Sequence, residues 1–171
     1  MRRIHLLIVL CAVASVMCAS TGCTREDASD GTGRPRLAAG TSWLACVVRD
    51  VAGEAVEVVV LSPPGRCPGH FDMTPSQLAE IRTCRMLVRF DFQKGLDDKL
   101  ARIGRGKMRV VEIVETGGLC EPETYLSACE TLRAALVETF PEIAGDVDGR
   151  LTETSTRMKA LTQSARARVR A

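Results

Sequence analysis

Ala55-Val56-Glu57-Val58-Val59-Val60-Leu61 runs through Ser62 into Pro63-Pro64-Gly65-Arg66-Cys67-Pro68-Gly69-His70-Phe71-Asp72-Met73, and then into Thr74-Pro75-Ser76-Gln77. The first segment is an apolar, β-branched run of strand length, the pattern of a parallel strand buried on both faces. The second is a Pro/Gly-rich loop. The third is a helix start, with Thr74 and Gln77 spaced as a capping box and Pro75 at the first helical position. A strand, a loop and a capped helix in succession make a β-α unit, and the surrounding chain repeats that alternation.

Upstream, Leu37 to Ala39 reads as a short first strand, and Thr41 or Ser42 caps a helix that carries Trp43, Val47 and Val51 on one face until Gly53 stops it. Downstream, Met86 to Phe90 is a strand, Leu96 to Ile103 a helix and Met108 to Val114 a further strand. Thr116-Gly117-Gly118-Leu119-Cys120-Glu121-Pro122 is a second irregular loop, leading to a helix from Glu123 to Val137. After Phe140-Pro141-Glu142 a long helical stretch reaches Ala171, with Val147, Leu151, Met158, Leu161, Ala165 and Val169 spaced as one apolar stripe. The expected fold class is α/β: a single lobe with a small parallel sheet flanked by helices, ending in a long helix. The lobe spans residues 37–140 and the long helix residues 141–171.

The N-terminus reads as an export leader over residues 1–22: Arg2 and Arg3, an apolar run from Ile4 to Met17, then the small residues Ala19, Ser20 and Gly22. The apolar run is short for a membrane span. Ser20-Thr21-Gly22-Cys23 resembles a bacterial lipoprotein cleavage box, which makes Cys23 the lipidated first residue of the mature chain. Ser20 stands where leucine is usual, so ordinary cleavage near Ala19 or Ser20 is the alternative. Residues 23–36, polar and glycine-containing, read as a flexible tether. The expected location is extracytoplasmic, lipid-anchored to a membrane and facing the periplasm. Thr24, rather than Asp, after the lipidated cysteine points toward an outer membrane.

Removing residues 1–22 takes away Arg2 and Arg3 and no acid, so the whole-chain charge of +2 falls to zero. That balance argues against a nucleic-acid binder or a polybasic membrane module. Aromatic residues make up only 4% of the chain, which gives no stacking platform for sugars or bases. Arg166, Arg168 and Arg170 read as the solvated face of a helix. Five cysteines follow Cys23: Cys46, Cys67, Cys84, Cys120 and Cys129. Cys46, Cys84 and Cys129 lie in apolar elements and read as small hydrophobes. Cys67 and Cys120 lie in loops, where they are candidates for metal ligands or for a disulfide with each other in an oxidising compartment. His70, the only histidine besides His5, lies in the same loop as Cys67 and Asp72, so the candidate metal ligands are His70, Cys67, Asp72 and Cys120. As a thiol nucleophile and base, Cys67 and His70 lack an orienting residue, and the chain does not read as an enzyme.

From Leu37 onward the sequence resembles the first lobe and linking helix of the zinc/manganese-type substrate-binding proteins of ABC transporters. The resemblance rests on Thr41-Ser42-Trp43-Leu44, on Val56 to Leu61 leading into Pro64-Gly65, and on Pro68 to Pro75, which is similar to the family's Pro-His-x-Phe-Glu-x-Thr-Pro block. Gly95-Leu96-Asp97, Glu121-Pro122-Glu123 and Phe140-Pro141-Glu142 follow in the family's order. It implies a divalent metal ion, zinc or manganese, as transported ligand, an ABC permease as membrane partner, and a cleft closed by a second lobe. Aligned without gaps, the family's first metal histidine falls on Gly69, one residue before His70, and its second falls near Gly117. The family's second lobe is not matched, so the expected product is truncated or divergent, or works with a separately encoded lobe. The alternative function is a non-catalytic interaction lipoprotein that reuses one α/β lobe without metal.

Overall fold

A computed structural model describes residues 33–67, 73–102, 104 and 108–170. The leader, Cys23, most of the tether, His70 and Asp72 lie outside the described residues. Four strands form one parallel sheet: β1 (Arg36–Ala39), β2 (Glu57–Val60), β3 (Met86–Phe90) and β4 (Arg109–Ile113), in the order β2-β1-β3-β4. The register sets Ala38 beside Val59 and Leu87, and Val88 beside Val111. The helices are α1 (Ser42–Ala52), α2 (Pro75–Ile81), α3 (Gly95–Arg102), α4 (Pro122–Thr139) and α5 (Ala144–Arg170). The α/β class, the parallel sheet and the closing long helix follow the sequence reading. No helix among the described residues is long and apolar enough to cross a membrane.

Strand alternation divides the core into two layers. Leu37, Ala39, Met86, Val88, Phe90, Val111 and Ile113 face one side, packed with Leu44, Val48 and Val51 of α1, Leu132 and Leu136 of α4, and Val147 of α5. Ala38, Val59, Leu61 and Leu87 face the other, packed with Ile81, Leu96 and Leu100 around α2 and α3. The two faces differ because the chain crosses from β1 to β2 over one side of the sheet and returns to β3 and β4 over the other. Right-handed crossovers then place α1 on one face and both α2 and α3 on the other.

Local chemistry sets the helix ends. The Thr41 hydroxyl accepts the Leu44 N–H at 3.1 Å, and α1 stops at Gly53, whose φ of 56° is a conformation glycine adopts at little cost. At α2 the capping box forms as read: the Thr74 N–H donates to Gln77 Oε1 at 3.0 Å, and the Gln77 N–H donates to Thr74 Oγ1 at 3.3 Å. Gln77 Nε2 also donates to the Leu61 carbonyl at 2.6 Å, fastening the helix start to the end of β2. Helix α4 ends at Thr139, because Pro141 has no N–H and its ring excludes the carbonyl four residues earlier.

Three details differ from the sequence reading. The β2 strand begins at Glu57, since Gly53–Ala55 forms a 3₁₀ turn that reverses the chain after α1. Cys46 is exposed rather than packed as a small hydrophobe. Positions 44, 45, 47, 48, 51 and 52 fill the inner arc of α1, which leaves 46 on the outer face, whereas Cys84 and Cys129 are buried as expected. The apolar stripe of α5 is only half used: Val147 is buried, but Leu161 is 60% and Val169 88% exposed. Helix α4 has 18 residues and α5 has 27, so the antiparallel neighbour ends before the stripe does. The position the pattern overlooked is Thr154, buried with its hydroxyl donating to the Asp50 carbonyl at 3.4 Å.

Candidate metal-capture rim

The carboxyl ends of four parallel strands form one rim, and β1 and β3 meet there at the point where the chain switches sides. Open α/β sheets bind ligands in that crevice. A buried glutamine ties the two central strands together at the rim: the Phe90 N–H donates to Gln93 Oε1 at 3.1 Å, and Gln93 Nε2 donates to the Gly40 carbonyl at 3.4 Å. The fit requires glycine at position 40, because a Cβ there would sit 2.5 Å from Gln93 Oε1.

Aromatic side chains build the wall beside it. The Trp43 ring lies 5.4 Å from Phe90 and 5.2 Å, edge-on, from Tyr125, while Phe92 stacks on Phe90 at 5.0 Å and is half exposed. Trp43 Nε1–H donates to the Leu119 carbonyl at 3.0 Å, which anchors the loop after β4 to the start of α1. That loop is braced internally: the Gly118 N–H donates to Glu115 Oε1 and the Glu121 N–H to the Gly118 carbonyl at 3.1 Å. Gly118, at φ 102°, supplies the turn. At Gly117, where the family resemblance puts a second metal histidine, a Cβ would meet Glu121 Oε2 at 2.5 Å. A side chain at 117 therefore displaces Glu121.

The structure places Cys67 in the loop after β2 and Cys120 in the loop after β4. Both are exposed, with no disulfide between them. The two loops share the rim, but they leave the outermost strands of the sheet, with β1 and β3 between them. Three strand spacings separate those strand ends by about 14 Å, so the two cysteines converge only through the loops themselves. His70 and Asp72 lie outside the described residues. Among the described residues no group of three or more His, Cys, Asp or Glu side chains is placed to hold a metal ion.

Two polar clusters escaped the sequence reading. On the α1 side, the Tyr125 hydroxyl donates to Asp50 Oδ2 at 2.7 Å, and Arg157 Nη2 pairs with Asp50 Oδ1 at 3.4 Å, linking α4, α1 and α5. Burial, reinforced by the Asp50 hydrogen bond, raises the Tyr125 phenol above its ordinary value. Burial also pushes the neighbouring Cys129 thiol up to about 12, with Asp50 and Glu130 adding to the effect. A thiol so placed stays protonated and is neither nucleophile nor ligand at neutral pH. On the other face, Arg89 in β3 is only 4% exposed. It holds Asp97 at 2.7 and 2.5 Å and Glu112 at 2.9 Å. An arginine inside an otherwise apolar central strand is the one signal that marks this cluster in the sequence, because a buried guanidinium requires carboxylate partners.

The Cys129 environment carries a pH prediction. Its pKa is raised on folding from 9.0 to about 12, so between those values the native state keeps a proton that the unfolded chain has lost. Stability is fully present below pH 9 and falls as pH rises, by about 1.4 kcal/mol per pH unit for this group. Tyr125 adds a loss of the same sign once the unfolded phenol ionises. Urea unfolding across the alkaline range is expected to show this slope, and Cys129→Ala is expected to flatten its first part. An unchanged slope in that variant assigns the loss elsewhere.

Residues 38–171 match the family described as ZnuA, zinc-uptake complex component A, periplasmic. No curated protein matches the chain. Among solved structures it is similar to a ZnuA, with a TM-score of 0.69 at 16% identity over 76% of this chain and 56% of that one. It is also similar to the substrate-binding protein FpvC of Pseudomonas aeruginosa in complex with Mn2+, with a TM-score of 0.70 at 17% identity over 79% and 57% of the two chains. The Zn(II)-bound ZnuA-like domain of Streptococcus pneumoniae AdcA gives 0.64 at 16% identity over 77% and 54%. These likenesses show the fold, and the chain spans just over half the length of each of these structures.

Proposed function

The chain belongs to the family of ZnuA-type periplasmic zinc-uptake components, and from that membership we propose that it captures a divalent cation outside the cytoplasm and delivers it to an ABC permease. The observation that carries the reading is the family match over residues 38–171, joined to a parallel lobe whose rim gathers the loops after β2 and β4. Residues 1–22 serve as the export leader, Cys23 as the lipid attachment and the polar residues between it and β1 as the tether. The lobe runs from β1 to the end of α4, and α5 is the long helix.

The cargo is zinc or manganese, the ions named in two of the similar structures. His70 supplies an imidazole, with Cys67, Asp72 and Cys120 as the other donors this chain offers. The braced Gly117 loop is the half of the cleft that contributes no ligand side chain at the family's second histidine position. Ligands from a facing lobe complete the shell.

Calorimetric titration of the reduced protein with zinc and with manganese tests the proposal. Micromolar or tighter binding is expected, and His70→Ala is expected to abolish it while leaving the melting curve unchanged. Absence of binding in the parent chain sinks an autonomous site and favours the reading of an interaction lobe without metal.

A further inference from the structure

Asp50, in the last turn of α1, ties three helices together. Its Oδ2 accepts the Tyr125 hydroxyl of α4 at 2.7 Å, its Oδ1 pairs with Arg157 of α5 at 3.4 Å, and its backbone carbonyl accepts the Thr154 hydroxyl of α5 at 3.4 Å. Thr154 behaves unlike its neighbours. Thr152, Thr156 and Thr162 of the same helix donate to carbonyls four residues back, whereas Thr154 is buried and reaches across to α1. Val147 and Leu151 also pack against the lobe, but apolar contact is non-directional and by itself tolerates a small slide. The Asp50 contacts are directional, so they fix the register of α5. From Asp50 the contacts run on to the rim: the Tyr125 ring meets Trp43 edge-on at 5.2 Å, and Trp43 Nε1–H donates to the Leu119 carbonyl in the loop after β4. A second link between α5 and the start of α4, Arg166 with Glu123 at 3.5 Å, has both side chains mostly exposed and contributes little.

We infer that Asp50 is a positioning residue through which the register of α5 sets the seat of the rim loop after β4. A slide of α5 draws the Asp50 carboxylate off the Tyr125 hydroxyl, frees the Tyr125 ring to tilt against Trp43, and loosens the anchor at Leu119. Burial keeps the Tyr125 phenol protonated, so it stays the donor in this chain of contacts. The purpose of the coupling rests on the metal-capture reading, in which α5 joins the lobe to its facing half. The loop at the rim then responds to where that half stands.

The test is hydrogen exchange of residues 115–121 in the full chain without metal, read together with the emission of Trp43, the only tryptophan in the sequence. Thr154 and Arg157 bond to Asp50 and not to the loop. Thr154→Val with Arg157→Gln is nevertheless expected to speed exchange in the loop roughly fivefold and to shift the Trp43 emission to the red. Tyr125→Phe keeps the ring and removes the hydroxyl, and is expected to speed the loop roughly tenfold. Adding the α5 pair to Tyr125→Phe is expected to change the loop no further, because the route is already cut. Exchange in β3 is the reference for global stability and is expected to change less than exchange in the loop. An α5 pair that leaves the loop at the parent rate overturns the inference, as does a pair whose effect persists in full beside Tyr125→Phe. Equal acceleration in β3 and the loop overturns it in favour of general destabilisation, and faster loop exchange with Trp43 emission unmoved overturns the route through Trp43. The readout needs no metal, so a parent that binds neither zinc nor manganese counts against the proposed function and not against this coupling.

Discussion

Phe90→Ala is expected to destabilise the lobe by about 3–5 kcal/mol, the usual cost of emptying a buried aromatic site. Phe90 is fully buried at the last position of β3 and holds Trp43 on one side and Phe92 on the other. Its loss leaves a cavity against a sheet that cannot close over it, because Gln93 bonds the backbone of Phe90 and Gly40 at the same place. The damage extends to the rim: Trp43, no longer backed by Phe90, is the group that anchors the loop after β4 through Leu119. Hydrogen exchange in residues 115–121 is expected to accelerate together with the fall in urea midpoint. A loss below about 1.5 kcal/mol is inconsistent with the packing described here.

Asp97→Ala is expected to cost about 2–3 kcal/mol, more than Arg89→Met, expected near 1 kcal/mol or below. The order follows from burial. Removing Asp97 strips the shortest contacts from a guanidinium that is 4% exposed and leaves it with Glu112 and the Phe90 carbonyl. Removing the arginine leaves Asp97 and Glu112 with side chains 39% and 36% exposed, where water and salt hydrate and screen them. Methionine fills the space the arginine stem occupied. Denaturant unfolding of both variants decides the matter, and a larger loss for Arg89→Met than for Asp97→Ala contradicts the assignment of Arg89 as the buried, dependent partner.

Much of the lobe was legible because its signals are local. Thr41 and Gly53 bound α1, Thr74-Pro75-Ser76-Gln77 caps α2, and Pro141 ends α4, each through chemistry acting within one helical turn. The apolar runs at Val56 to Leu61 and Met86 to Phe90, each broken by a single charged residue, identified strands of a parallel sheet covered on both faces. The candidate site was legible as an address, the loops at the strand ends. Its contents were not: the room at Gly117 is set by Glu121, and the brace on its loop comes from Trp43, 76 residues earlier in the chain.

By itself, then, the sequence determined the β-α alternation, the caps and breaks, the parallel sheet and the long closing helix, because helix ends and strand burial depend on neighbours close in the chain. Tertiary structure alone decided the strand order β2-β1-β3-β4, which sends the Cys67 and Cys120 loops to opposite sides of the rim. It decided that Cys46 faces outward and that half of the α5 stripe stays uncovered. It also gave Arg89 and Asp50 their partners. Those outcomes depend on which distant surfaces meet, and residue spacing carries no record of that.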